Sequence, residues 1–260
     1  MNIPTEIAYI NGRPLEHRVI GSLSSKKPVI LFLHEGLGCI TMWRDFPDRL
    51  SNATGLSALV YSRFGYGKSD TIPLPRPVSF MHDEAEVLNA LRSHFQIDDC
   101  FVVGHSDGAS IALINAGSNG CSGIRGLLLE APHVFVEEYC LSRIAEVKEH
   151  YRTSDLRGKL RRHHGDNVDG AFLGWNDVWL NPQFRNWNIE SYLSAITVPV
   201  LLLQGTADEY GTMAQIESVK RGVNGPVDVT LIDRCGHSPH REFPDETLAA
   251  MSSFISRLID

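Results

Sequence analysis

Long apolar runs are missing from this 260-residue chain, and no hydrophobic stretch reaches the roughly 20 residues that a bilayer-spanning helix needs. Lys/Arg-rich runs are missing too. With 24 basic against 31 acidic residues the net charge is −7, a balance that argues against nucleic acid and against an anionic membrane surface as partners. The local exception, Arg161-Arg162-His163-His164, reads as a solvated patch or as histidines lining a pocket. Cysteine is scarce and unpatterned: Cys39, Cys100, Cys121, Cys140 and Cys235 are odd in number and include no C-x-x-C pair, which disfavours a disulfide framework and a structural zinc site. His150, His163 and His164 with Asp166 and Asp169 match no familiar zinc spacing. The glycine-rich segments lack Gly-x-x-x-x-Gly-Lys and the dinucleotide fingerprint, which sets aside phosphate and NAD binding. No metal and no cofactor is therefore expected. Met1 to Ile10 shows no basic segment followed by an apolar core, so no secretory leader is expected and a reduced, cytoplasmic setting is the default.

What the chain does contain is Val102-Val103-Gly104-His105-Ser106-Asp107-Gly108-Ala109-Ser110, an apolar run ending in Gly-x-Ser-x-Gly. Cys100 to Val103 suits a buried parallel strand, and Ala109, Ile111, Ala112, Leu113 and Ile114 suit a helix laid on a sheet. Strand, turn and helix together read as a nucleophile elbow, where flanking glycines let backbone approach a serine held on a sharp turn. Ser106 is the candidate nucleophile.

A serine hydroxyl is a weak nucleophile near neutral pH and needs a base, itself oriented by a third group. Val198 to Leu203 reads as another buried strand, and Gln204-Gly205-Thr206-Ala207-Asp208 places a carboxylate just past its end. Asp208 is the preferred acid, with Glu209 and Asp233 as rivals. Val227 to Ile232 reads as a last strand, followed by Asp233-Arg234-Cys235-Gly236-His237-Ser238-Pro239-His240. His237, in a loop that Gly236 keeps tight, is the preferred base; His240 is its rival, otherwise a structural or pocket-edge residue.

With these motifs in that order, the sequence resembles the α/β-hydrolase family over nearly its whole length, in the branch of capped bacterial esterases and the carbon–carbon bond hydrolases of aromatic degradation. The resemblance implies an oxyanion hole formed by the amide of Asp107 and one from Leu33-His34-Glu35-Gly36-Leu37-Gly38, with Gly36 the first choice and Leu37 the second. Glu35 departs from the family pattern, where many relatives carry glycine. A carboxylate beside a developing negative charge opposes catalysis, so its side chain is expected to point away or to be paired with a cation.

The remaining pattern fits. Glu6 to Ile10 and Glu16 to Ile20 read as a hairpin around Asn11-Gly12. Strands at 29–33, 57–61, 100–103, 126–130, 199–203 and 227–232 alternate with helices at about 41–52, 79–95, 107–117, 213–222 and 245–258, which implies a mainly parallel sheet flanked by helices. Arg63 to Lys68 resembles the family's loop after the second of these strands, with a structural role. Pro132 to Thr197 breaks the alternation and holds three of the four tryptophans. By resemblance it is a helical cap, residues 132–197, inserted into a core of residues 1–131 and 198–260. Trp175 and Trp179 are spaced to share a helix face and are the candidate pocket residues, although Gly174, Asn176 and Asp177 read as a shaped loop. The expected activity is hydrolysis of a small or medium carboxylic ester, or a thioester, through an acyl-serine. The alternatives are carbon–carbon bond hydrolysis and a ligand receptor that retains the triad.

Overall fold

Residues 4–23, 27–118 and 121–259 are described in the computed structural model, so of the stretch read for a leader residues 1–3 lie outside it. Strands β1 (Glu6–Ile10) and β2 (Arg13–Ile20) form the expected hairpin. Asn11 and Gly12 have φ of 51° and 78°, the positive pair that a tight two-residue hairpin turn requires. β2 then pairs antiparallel with β4 (Ser57–Tyr61). From there the sheet is parallel through β3 (Val29–Leu33), β5 (Cys100–His105), β6 (Ile124–Glu130), β7 (Val200–Gly205) and β8 (Val227–Ile232). The order is β1-β2-β4-β3-β5-β6-β7-β8.

Strand alternation divides the core in two. Leu31, Leu33, Val102, Leu127 and Leu202 face helices α2 (Phe80–His94), α3 (Asp107–Ser118) and α8 (Met213–Gly222). Ile30, Phe32, Phe101, Val103 and Leu201 face α1 (Phe46–Thr54) and α10 (Pro244–Ile259). Because both faces are covered, β3 and β5 are buried at every position, which is why they read as continuous apolar runs rather than alternating ones.

Parallel register brings the carboxyl ends of the central strands level: Leu33 pairs with Gly104 and His105 with Glu130. In open parallel sheets this rim is where ligands bind. Between β6 and β7 lie α4 (Glu138–Thr153), α5 (Leu156–His164), α6 (Val168–Trp179) and the short α7 (Glu190–Leu193). The loop read at Gly174 to Asp177 is not a loop: these residues continue α6. Packing overrides their turn propensity. Asn176 is buried with its amide donating to the Ile144 carbonyl of α4 at 2.9 Å, and Gly174 makes room for Ile72.

At the β5–α3 junction Ser106 has φ +54°, a left-handed conformation that is costly for a non-glycine residue. Its N–H donates to the Glu130 carbonyl at 2.9 Å, and its own carbonyl accepts from Ala109 and Ser110. The flanking glycines are a matter of space: a Cβ on Gly104 would meet the Gly108 carbonyl oxygen at 2.6 Å, and one on Gly108 would meet that of Leu33 at 2.1 Å. Both obstacles are backbone and cannot rotate away. Gly108→Ala is therefore expected to destabilise the fold by at least about 1–3 kcal/mol, with a fall in Tm of about 2–4 °C per kcal/mol. Thermal unfolding indistinguishable from the parent would show that the junction relaxes freely.

Candidate active site

Three loops at the level rim converge on Ser106. The His237 Nε2 lies 2.9 Å from the Ser106 Oγ, and its Nδ1 lies 2.9 Å from both Oδ1 and Oδ2 of Asp208. The acid is held in turn: Oδ1 accepts the amides of Tyr210 and Gly211 at 2.7 and 3.2 Å, and Oδ2 accepts from Gln204 at 2.7 Å. Burial alone would raise the Asp208 pKa, but the charge and hydrogen bond of His237, helped by the Tyr210 amide, bring it down to about 2. The rivals sit elsewhere. Glu209 lines the cavity, Asp233 is exposed beside Thr206 and Arg234, and His240 is buried with its Nδ1 2.7 Å from Glu130 Oε2.

Two residues that the sequence did not single out pin the His237 loop. The Glu242 carboxylate accepts the amides of Gly236 and Ser238 at 2.8 and 3.1 Å. The His105 Nε2 donates to the His237 carbonyl at 2.7 Å. On its other side His105 Nδ1 faces the Glu35 carboxylate at 3.6 Å. Glu35 is the carboxylate nearest that second nitrogen, so the buried His105 ring is the cation with which Glu35 is paired. Burial would lower the pKa of His105, but Glu35 and, behind it, Glu130 outweigh burial and raise it to about 9. Burial would likewise raise Glu35, and His105 instead holds it well below the ordinary carboxylate range.

The Glu35–Gly38 turn is fixed through one carbonyl. The oxygen of Glu35 accepts from His34 Nδ1 at 2.7 Å, Arg63 at 2.9 Å and the Gly38 amide at 3.1 Å. Arg63, wholly buried, also lies 3.9 Å from the Asp107 carboxylate. It thus ties together the segments that carry the Gly36 and Asp107 amides, neither of which donates to a partner among the described residues.

Over this floor is a cavity of about 470 Å³, within the size range of small-molecule sites. Trp175 lines it, lying so close to Gly36 that a Cβ there would meet the indole at 2.1 Å. Trp179 lies behind, its indole N–H donating to Asp107 Oδ1 at 3.1 Å and its ring packed on His133, Phe184 and Trp187. Of the Arg161–His164 patch, His163 faces the cavity. His164 is buried, accepting from the Gly67 amide and donating to the Leu37 carbonyl; burial lowers its pKa to about 4.

Among the described residues His105, Glu130 and His240 bring donor atoms within 4.8 Å of one another. Within this group His240 Nδ1 lies 2.7 Å from Glu130 Oε2, and His105 Nε2 donates to the His237 carbonyl at 2.7 Å.

A model of the alpha/beta hydrolase family matches residues 30–250. A proline iminopeptidase of Levilactobacillus brevis is 30% identical over 269 residues, spanning 94% of this chain and 90% of that protein. An esterase from Exiguobacterium antarcticum has a similar structure, with a TM-score of 0.75 at 18% identity, covering 98% of this chain and 100% of the esterase. The enol-lactonase from Burkholderia xenovorans LB400 does so with a TM-score of 0.76 at 17% identity, covering 96% and 100%. At these identities the structural likenesses speak for the fold.

The Glu35–His105 pair makes stability depend on pH. A folded-state pKa of about 9 on His105, above the ordinary value of 6.5, means that its contribution is fully present below about pH 6.5 and is lost as pH rises through about 9. Urea unfolding is expected to show a loss on the order of 1–3 kcal/mol across that window. Glu35→Gln should be less stable at neutral pH and should flatten the alkaline slope; an unchanged slope in that variant would exclude the pair as its source.

Proposed function

The chain belongs to the alpha/beta hydrolase family, and from that premise we propose that it is a serine esterase in which Ser106, His237 and Asp208 form the catalytic triad. The observation that carries this reading is the unbroken chain of 2.9 Å contacts from Ser106 Oγ through the His237 ring to Asp208, set at the floor of an open cavity.

The chemistry follows from the geometry. His237 Nε2 takes the Ser106 proton as Oγ forms a bond to the ester carbonyl carbon. The carbonyl oxygen becomes an oxyanion held by the Gly36 and Asp107 amides, donors that need no reorganisation because Arg63 and the elbow already fix them. The ionised Asp208 stabilises the imidazolium of His237. That imidazolium gives its proton to the departing alkoxide, the carbon–oxygen bond breaks, and an acyl-serine remains. Water, deprotonated by the same His237, then repeats the sequence and releases the acid. Glu35 does not oppose the oxyanion because the His105 cation neutralises it. Residues 132–197 serve as the cap, with Trp175 on the substrate side.

A second reading is favoured by the sequence relatives that are proline iminopeptidases, and it makes a prolyl amide the substrate. Against it, the carboxylate of the oxyanion loop, Glu35, is already paired with His105, which leaves Glu209 as the one cavity acid among the described residues able to meet a prolyl ammonium. Aryl esters of graded acyl length, run beside prolyl p-nitroanilide and a vinylogous 1,5-diketone, separate the two and the carbon–carbon alternative. Sustained turnover rather than a single burst separates an enzyme from a receptor.

Ser106→Ala is expected to lower kcat by about 10⁴-fold or more, and His237→Ala by a similar factor. His240→Ala is expected to act on stability through its bond to Glu130, with a much milder effect on kcat. A dead His240 variant beside an active His237 variant would reverse the assignment. For the cap, Trp175→Ala should raise KM more than it lowers kcat. Trp179→Ala should instead cost about 3–5 kcal/mol of stability. Kinetics and thermal unfolding of both variants check this, and an unchanged KM for Trp175→Ala across the ester series would remove it from the substrate wall.

A further inference from the structure

The charges that line the cavity are unequally matched. Of its acidic residues, Glu35 is held by His105, and Glu209 alone has no cationic nitrogen within 4.0 Å among the described residues, Arg143 pairing with Glu146 instead. Of its basic residues, Lys159 and Arg241 line the same cavity, and neither has a carboxylate oxygen within 4.0 Å or a side-chain hydrogen bond among the described residues. They come from different elements, Lys159 from α5 between β6 and β7 and Arg241 from α9 (Pro239–Glu242) just past His237.

Of the other cations on α5, Arg157 and Arg161 have carboxylate partners, and Arg162, which has none within 4.0 Å among the described residues, does not line this cavity. On α5, Arg157 reaches Asp169 at 2.6 Å and Arg161 reaches Asp166 at 3.7 Å, whereas Lys159 between them turns to the cavity. Glu242, next to Arg241, spends its carboxylate on the Gly236 and Ser238 amides. In a chain of net charge −7, carboxylates to pair with these two cations are not scarce, so the mismatch is local to the cavity. His163, one helical turn beyond Lys159, also lines it. Its Nδ1 is engaged by Thr41 Oγ1 at 2.8 Å. Burial first, then the positive charge of Arg241, lowers its pKa.

Resting on the esterase reading, we infer that Lys159, Arg241 and His163 form an anion-binding subsite, and that the substrate is an ester carrying a free carboxylate away from the scissile bond. Leu37, Ile144 and Leu160, which line the same cavity, suit a hydrocarbon spacer between the two groups. The hydrolytic step is unchanged: water is consumed, and the products are an alcohol and an acid that keeps or lacks the second carboxylate according to which side bore it.

The test compares p-nitrophenyl half-esters of succinate, glutarate and adipate with p-nitrophenyl esters of the methyl-ended acids of matching length. 4-(Hexanoyloxy)benzoate, with the carboxylate on the alcohol side, is compared with phenyl hexanoate. The expected result is a kcat/KM at least about tenfold higher for the carboxylate-bearing member of one series, a preference that shrinks as salt is added. Arg241→Gln and Lys159→Gln should each cut that ratio by about five- to tenfold through KM, and Arg241→Lys should keep most of it. Calorimetry of glutarate and adipate with the Ser106→Ala protein, expected to show binding that Arg241→Gln weakens, reads the subsite without turnover. Esters hydrolysed without regard to charge, or a ratio unmoved by both Gln variants, would overturn the subsite while leaving the esterase standing. No ester hydrolysed at all would overturn the esterase reading, and calorimetry would then decide the subsite alone.

Discussion

A buried imidazolium holds the site together. His105 ends the central strand β5 and touches, through its two ring nitrogens, the loops that must meet above it: the His237 carbonyl at 2.7 Å and the Glu35 carboxylate at 3.6 Å. A buried charge is tolerated only when it is paired. Glu35 and His105 therefore depend on each other, and moving either loop would strand a charge in the protein interior. The same demand explains the Glu130–His240 pair alongside, under the Trp43 ring, which packs 4.4 Å from the His240 ring.

Arg63 performs a comparable task for the two amides assigned to the oxyanion hole. By donating to the Glu35 carbonyl at 2.9 Å and approaching Asp107 at 3.9 Å, it makes the loop after β3 and the start of α3 one rigid unit. Trp179 extends that unit into the inserted helices through its bond to Asp107. A continuous polar framework thus runs from helix α6 to the nucleophile, and the cavity is shaped by the same contacts that set the donors.

Much of the architecture was legible. The central strands and their helices were visible because apolar runs and glycine punctuation are local signals, and because a parallel sheet covered on both faces leaves little freedom for such runs. The Gly104–Gly108 motif was visible because the junction has no room for a Cβ at either end. Asp208 and His237, which the sequence preferred to Glu209, Asp233 and His240, are the acid and histidine that the structure brings into line with Ser106. Less legible were Gly174 to Asp177, where turn-forming residues sit inside a helix because the Ile144 carbonyl satisfies Asn176.

What the sequence by itself determined was the fold class, the order of the chemical groups along the chain and the oddity of a carboxylate at Glu35, since each depends on residue type and short spacing. What only the tertiary structure decided was pairing over long distances in the chain. His105 meets the carbonyl of a residue 132 positions away, Trp175 and not Trp179 faces the cavity, and Lys159 and Arg241 face it from different elements. None of these leaves a mark on local periodicity. They arise where level strand ends force distant loops into one small volume and buried charge must find its opposite there.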